Sequence, residues 1–395
     1  MAVDHVPVDP TSTAYGAELA GQTILPAIDL ETGAPVLVER EGPRYDGLAE
    51  LGMGGLGQVL QARDRDIGRR VAIKRMREDR RTHTAFIRFV QEVRTIGRLQ
   101  HPNIVTIHDV GKEEDGGLFF VMDYVDGESM EAIIARLRAG DRVTHAAWPF
   151  PRRVGVLRQV LHAIQFAHDR GVLHRDLKPA NIMIGTHGEV RLVDWGVAKQ
   201  RDDVEVPADD VPTGGPIGHT VAGSLVGTPR YMSPEQARGE PADVRSEVFS
   251  LSLVAYEWLS LHHYLDDLDD VDAILTAIAT RDIRNPMYLS SPGQSSTPPD
   301  LAWFVMDGLH REPERRYASM RDMIDRLDRR DQGELRVQCP STLQKAALLR
   351  AESFLDHHPM LAFAAGLAVP VALGAAGLAV LVVGMAAGAG IATLL

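Results

Sequence analysis

The chain has 395 residues, and its 42 Lys and Arg against 54 Asp and Glu give a formal net charge of −12. That length accommodates one large or two modest domains with buried cores, and the acidic balance argues against a general nucleic-acid-binding surface. Cys339 is the only cysteine, which excludes an intramolecular disulfide and a Cys-based zinc cluster within one chain.

The first 44 residues hold prolines, a Thr-Ser-Thr run and Gly-containing turns. They read as a mostly irregular extension, with a strand expected at residues 35–39. The chain does not open with a basic region followed by an apolar run, so no signal peptide is read there. From Tyr45 the pattern changes to short strand-like runs. Residues 48–51 lead into Gly52, Gly54, Gly55 and Gly57, and residues 58–62 resume in strand form. This is a glycine hairpin whose backbone can approach phosphates because side chains are missing at the close points. Val71-Ala72-Ile73-Lys74 follows on a strand, and a helix is expected over residues 84–99. A turn and strand at residues 101–110 and a strand at 118–122 come next. Residues 129–137 read as a helix, 138–151 as a polar connection, and 153–170 as a long amphipathic helix on Val156, Val160, Ile164 and Ala167.

The stretch HRDLKPAN, His174 to Asn181, sets Asp176 five residues before Asn181 with Lys178 between them. At that spacing a base for a hydroxyl proton, a cation for a moving phosphate and a metal ligand hang from one loop. Asp194-Trp195-Gly196 follows, then a long segment to Tyr231 with an acidic run, read as a solvated insert. Closing helices are expected at 301–309 and 320–327, and another at 342–355. From Pro359 to Leu395 there is no Asp, Glu, Lys, Arg or His. Residues 360–385 supply the roughly 20 apolar residues that cross a bilayer, which predicts a transmembrane helix after a juxtamembrane stretch, 331–359, and before a short apolar tail, 386–395. Gly384 and Gly388 form a small-xxx-small pair that favours self-association.

With the glycine hairpin, VAIK, HRDLKPAN and DWG in this order, the sequence resembles the eukaryotic-like Ser/Thr protein kinases of bacteria over roughly residues 45–330. The resemblance implies an α+β fold of two lobes, the small lobe at 45–122, a hinge at 123–127 and the large lobe at 128–330. It implies ATP with Mg²⁺, or Mn²⁺, as cofactors. Leu51, Gly52, Gly54, Gly55 and Gly57 would line the nucleotide, Val59 and Ala72 would sandwich the adenine, and the hinge backbone from Asp123 to Val125 would read its edge. Met122 resembles the gatekeeper. Lys74 would meet the phosphates and pair with Glu92; Asp176 would orient the acceptor hydroxyl and take its proton; Lys178 would neutralise the moving phosphoryl group; Asn181 and Asp194 would hold the metal. His174 would pack to hold the loop. Thr220 and Ser224 are candidate phosphosites for which Arg175 would be the receiving cation, Thr228 would brace Asp176, and Glu235 should form a buried pair with Arg316.

The partners so implied are protein substrates, a second copy acting in trans, the membrane through 360–385 and a possible homodimer, without nucleic acid. The expected location is a single-pass protein of the bacterial cell membrane with a cytoplasmic kinase domain. Trp195 replaces the family's Phe, Glu247 an Asp and Ser252 a Gly. These departures motivate a nucleotide-binding scaffold as the first competing reading; phosphotransfer to a small molecule is the second.

Overall fold

The computed structural model describes residues 27–29, 36–38, 43–53, 57–113, 116–195, 199–200, 229–334 and 336–357. They fall into two units, Met1–Thr297 with Val305–Ile324 and Pro298–Phe304 with Asp325–Leu395.

In the first unit β1 (Ala27–Asp29) pairs antiparallel with β2 (Val36–Val38). The strand expected at 35–39 is therefore present, with a partner that the sequence reading missed. Five strands follow: β3 (Tyr45–Met53), β4 (Gly57–Asp64), β5 (Arg69–Met76), β6 (Ile107–Lys112) and β7 (Leu118–Asp123). They form an antiparallel sheet in the order β3-β4-β5-β7-β6. Register decides what each face carries. Val59 lies opposite Lys74, Gln61 opposite Ala72, Ala72 opposite Met122 and Lys74 opposite Phe120, so these residues share one face. Ala62, Val71, Ile73 and Val121 take the other and close a small apolar cluster with Tyr45 and Phe119.

Helix α1 (His83–Arg98) starts where the Thr82 hydroxyl accepts from the Ala85 amide at 3.2 Å, as a helix cap does. Ala85, Phe89, Glu92 and Ile96 form its buried stripe at helical spacing. Phe89 packs on Phe120 with ring centres 5.3 Å apart. Because Phe120 shares a face with Lys74, this contact brings Glu92, one turn further along, to the lysine.

Beyond the hinge the chain is mostly helical. β8 (Gly127–Ser129) joins β10 (Ile182–Gly185) and β11 (Val190–Leu192) in a small sheet, and β9 (Val172–Leu173) pairs with β12 (Lys199–Gln200). Ser129 caps α2 (Met130–Arg138). The polar connection expected over 138–151 instead contains a helix, α3 (Arg142–Ala147), because Asp141 accepts from the amides of Val143 and Thr144 and so nucleates a turn. α4 runs from Phe150 to His168, three residues earlier than expected, since Pro151 in the first turn has no hydrogen bond to lose. After α5 (Pro234–Ala237) comes α6 (Val244–Ser260), buried on every side from Ser246 to Ser260, and then α7 (Val271–Thr280). α8 (Pro299–Gly308) and α9 (Met320–Asp331) match the expected closing helices.

In the second unit the buried Asp300 accepts from Arg330 Nε at 2.5 Å and from Lys345 Nζ at 2.6 Å, the latter on α10 (Pro340–His357). The two cations outweigh burial and hold the Asp300 carboxyl below its usual range. No helix among the described residues is long and apolar enough to cross a membrane. The expected segment at 360–385, Gly384 and Gly388, and the tail at 386–395 lie outside the described residues.

Candidate active site

Lys74 is the cation at the centre of the site. Its Nζ lies 2.6 Å from Glu92 Oε1 and 3.0 Å from Asp194 Oδ1, so α1 stands in the inward position that the pairing requires. Burial by itself would lower the Lys74 pKa, but the two carboxylates outweigh it and raise the value, keeping an ammonium there. Burial likewise opposes the charge on Asp194, and Lys74 overcomes it, holding the carboxyl below its usual range. Gly57, opposite Met76 in the ladder, sits in a tight place: an added Cβ would stand 3.1 Å from both Arg75 O and Lys74 Cε. Gly52 lies opposite Val59 on the β3–β4 arm, and Leu51 beside it is 49% exposed. Gly54 and Gly55 lie outside the described residues.

At the hinge the Asp123 amide donates to Thr106 O at 3.0 Å and the Val125 carbonyl accepts from the Gly127 amide at 3.0 Å. The Asp123 side chain is 2.7 Å from His108 Nε2.

The loop holding Asp176 is bonded within itself. Lys178 Nζ is 2.6 Å from Asp176 Oδ2, and Asn181 Nδ2 donates to Asp176 O at 2.8 Å and to Oδ2 at 3.2 Å. The Val193 amide donates to Asn181 O at 3.0 Å, joining this loop to the residue before Asp194. His174 is fully buried with its ring 4.5 Å from Trp195. Its Nδ1 accepts from the Asp176 amide at 3.3 Å and its Nε2 faces Val193 O at 3.3 Å. Burial pushes the imidazole below its ordinary value, so the neutral form, proton on Nε2, satisfies both contacts. Both ring nitrogens are thereby used, and His174 packs as expected.

Two non-glycine residues here occupy the left-handed region, Arg175 at φ 66° and Asp194 at φ 61°. Aspartate tolerates that conformation better than arginine. What retains Arg175 in it is Glu247 on α6, whose Oε1 accepts from the Arg175 amide at 2.6 Å while Oε2 lies 2.7 Å from His168 Nε2. Burial opposes a charge on Glu247, but the hydrogen bond to His168 prevails and lowers its pKa. The longer side chain thus reaches the loop, held at its far oxygen by a histidine that no motif had singled out.

The expected pair of Glu235 and Arg316 is present. Arg316 donates to both oxygens of Glu235, at 2.7 and 2.8 Å. Its remaining donors meet His310 O, Arg245 O and Arg311 O, so all five N–H groups are used. Ser252, where the family has glycine, faces Gly308, at which an added Cβ would overlap the serine hydroxyl. Gly196, Thr220, Ser224 and Thr228 lie outside the described residues.

Oxygen donors suit magnesium. Asp194 offers a carboxylate with side-chain exposure of 46%, and Asn181, its amide nitrogen engaged by Asp176, has its carbonyl oxygen as the remaining donor. The residues fit the metal.

Lys74, Asp176, Lys178, Asn181 and Asp194 together form the arrangement of cations, base and oxygen donors that phosphoryl transfer to a hydroxyl uses. The chain belongs to the protein kinase family: the model described as protein kinase domain matches residues 45–326. It is 34% identical over 297 residues to the serine/threonine-protein kinase PknB of Mycolicibacterium smegmatis, covering 74% of this chain and 43% of that protein. It is 31% identical over 303 residues to the serine/threonine-protein kinase PknD of Chlamydia felis, covering 73% of this chain and 31% of that one. The chain thus spans less than half the length of these curated relatives.

Proposed function

We propose that the protein transfers the γ-phosphate of ATP to serine or threonine of protein substrates, with its own activation segment among the acceptors. The single observation that carries this reading is Lys74 bridging Glu92 and Asp194, the assembled arrangement rather than a separated one. The scaffold reading loses weight because Glu247, its strongest motive, makes the contact to the catalytic loop. Transfer to a small molecule is disfavoured by the Glu235–Arg316 pair, which fixes the segment on which a polypeptide acceptor would lie.

In this mechanism Val59 and Ala72, on one face of the sheet, take the adenine, and the Val125 amide serves as the hinge donor. Lys74 binds the α- and β-phosphates. The Asp176 carboxylate accepts the hydrogen bond of the incoming hydroxyl and takes its proton as the oxygen–phosphorus bond forms and the bond to the β-phosphate oxygen breaks. Lys178, already against Asp176, balances charge on the moving group. Asn181 and Asp194 would hold Mg²⁺, which when bound neutralises phosphate charge. Lys178, two residues after Asp176, is the feature that favours Ser/Thr over tyrosine.

Residues 360–385 are proposed as a single membrane anchor on their apolar sequence, with the kinase domain in the cytoplasm where ATP is found. The Gly384/Gly388 spacing supports pairing of two copies, which would permit phosphorylation in trans.

Asp194→Asn tests the metal role. It should lower phosphoryl transfer by about 10²-fold or more, since an oxyanion ligand becomes a neutral amide, while thermal unfolding stays close to wild type. Near-wild-type turnover would overturn that assignment.

A further inference from the structure

Three arginines from separate parts of the chain converge on the loop between α6 and α7. Arg138, ending α2, donates to Leu261 O at 2.8 Å and to Glu257 Oε1 at 2.9 Å. Arg281, following α7, donates to Tyr264 O at 2.8 Å and to both oxygens of Asp267 at 2.5 and 2.7 Å. Arg230 donates to Leu265 O at 2.6 Å, to Leu268 O, and to Asp269 Oδ1 at 3.2 Å. The loop leaves α6 through Leu261 in the left-handed region, φ 62°; within it the Asp266 amide donates to His263 O and the Leu268 amide to Leu265 O, and other carbonyls of the loop look outside it for donors. The arginines serve Leu261 O, Tyr264 O and Leu268 O, and give Leu265 O a second donor.

Arg230 differs from the other two in what it connects. It sits in the one-turn helix Pro229–Tyr231, at the end of the long segment that begins with Asp194. Its neighbours are fixed too: Tyr231 OH donates to Glu257 Oε2 at 2.5 Å, and Met232 packs in a cluster with Leu265, Ile274, Leu275 and Ile278, against which Leu268 also lies. Asp269 is fully exposed, so that ion pair contributes little; the two carbonyl bonds are the connection.

The same helix serves both sides of the reaction. Glu247 on α6 bonds to Arg175, next to Asp176, and Glu257 on α6 bonds to Tyr231. Ten residues of a helix separate them by about 15 Å. A helix buried from Ser246 to Ser260 makes that spacing rigid. Arg230 extends the frame from α6 to the loop that follows it.

We propose that Arg230 is a positioning residue for the protein acceptor, tying the turn Pro229–Tyr231 to the loop Leu261–Asp270 and thereby fixing the surface on which the acceptor polypeptide lies. This rests on the kinase reading. Acceptor affinity then depends on this one tie between turn and loop, and ATP affinity is independent of it.

The test uses the full chain with myelin basic protein as acceptor, varying acceptor and ATP separately. Arg230→Ala should raise KM for the acceptor about tenfold, exceed any fall in kcat, and leave KM for ATP within about twofold. Arg281→Ala, which removes a separate anchor at Tyr264 and Asp267 and leaves the Arg230 tie in place, should keep the acceptor KM within about twofold of wild type. An unchanged acceptor KM in Arg230→Ala, or an equal rise in Arg281→Ala, overturns the proposal. Should Arg230→Ala fail to fold, Arg230→Lys, with fewer donors, is expected to give an intermediate rise, and a wild-type KM there overturns it equally. A wild-type chain that hydrolyses ATP yet never labels the acceptor marks failure of the kinase reading, and the proposal falls with it.

Discussion

Glu247 is one methylene longer than the aspartate the family places there, and the extra reach is absorbed by His168 rather than by the catalytic loop. Ser252 shows a second accommodation. Its hydroxyl lies against Gly308, so the bulk added on α6 is matched by absent bulk at the end of α8. Gly308→Ala should therefore destabilise the protein by ~1–3 kcal/mol through overpacking, and Ser252→Gly in the same chain should restore most of it. A thermal or denaturant double-mutant cycle measures the coupling. Additive effects would show that the two positions do not compensate each other. Asp176, Lys178 and Asn181 were legible in the sequence because one short loop carries all three. His168 and Gly308 were not, since each gains its meaning only from a residue that folding brings across from another helix.

At the scale of elements, the Glu235–Arg316 pair joins the short helix α5 to the turn before α9. Burial alone would raise the Glu235 pKa, but the hydrogen bonds from Arg316 and Ser246 lower it. With the folded value below the unfolded one of ~4.3, the stabilisation is fully present above pH 4.3 or so and is lost as pH falls through the folded value. Arg316→Ala should cost ~3–5 kcal/mol at neutral pH by stranding a buried carboxylate. The gap to wild type should narrow as the pH is lowered below the ordinary carboxylate range, read by chemical denaturation across pH. A gap independent of pH would contradict the assignment. The helix expected over 84–99 is α1, His83–Arg98. The six-residue α3 was not legible, because it is too short to show a period and depends on the Asp141 cap. β1 and β2 are three residues each, and only the second left a visible signal.

Across the molecule, the register of the five-stranded sheet, the packing of Phe89 on Phe120 and the buried helix α6 each place one part of the site. Sheet and α1 bring Lys74 to Glu92 and Asp194; α6 holds Arg175 and, further along, Tyr231. Motif order in the sequence made the two-lobed fold readable, whereas the contacts of Glu247 with His168 and Arg175, and of Arg230 with the loop after α6, depend on tertiary packing that spacing does not encode. The departures at Trp195, Glu247 and Ser252 fit sterically: Trp195 is fully buried against His174, Glu247 pairs with His168 and Ser252 lies against Gly308, although Trp195 Nε1 and Ser252 Oγ are buried without a hydrogen-bond partner among the described residues. The most direct measurement is phosphate incorporation by the purified full chain with ATP and Mg²⁺ beside Asp176→Asn, followed by identification of the modified residues. Phosphoserine or phosphothreonine in the wild type, absent from an equally folded Asp176→Asn, is the predicted result. Undiminished incorporation in the variant, or a folded, nucleotide-bound wild type that transfers nothing, would contradict it.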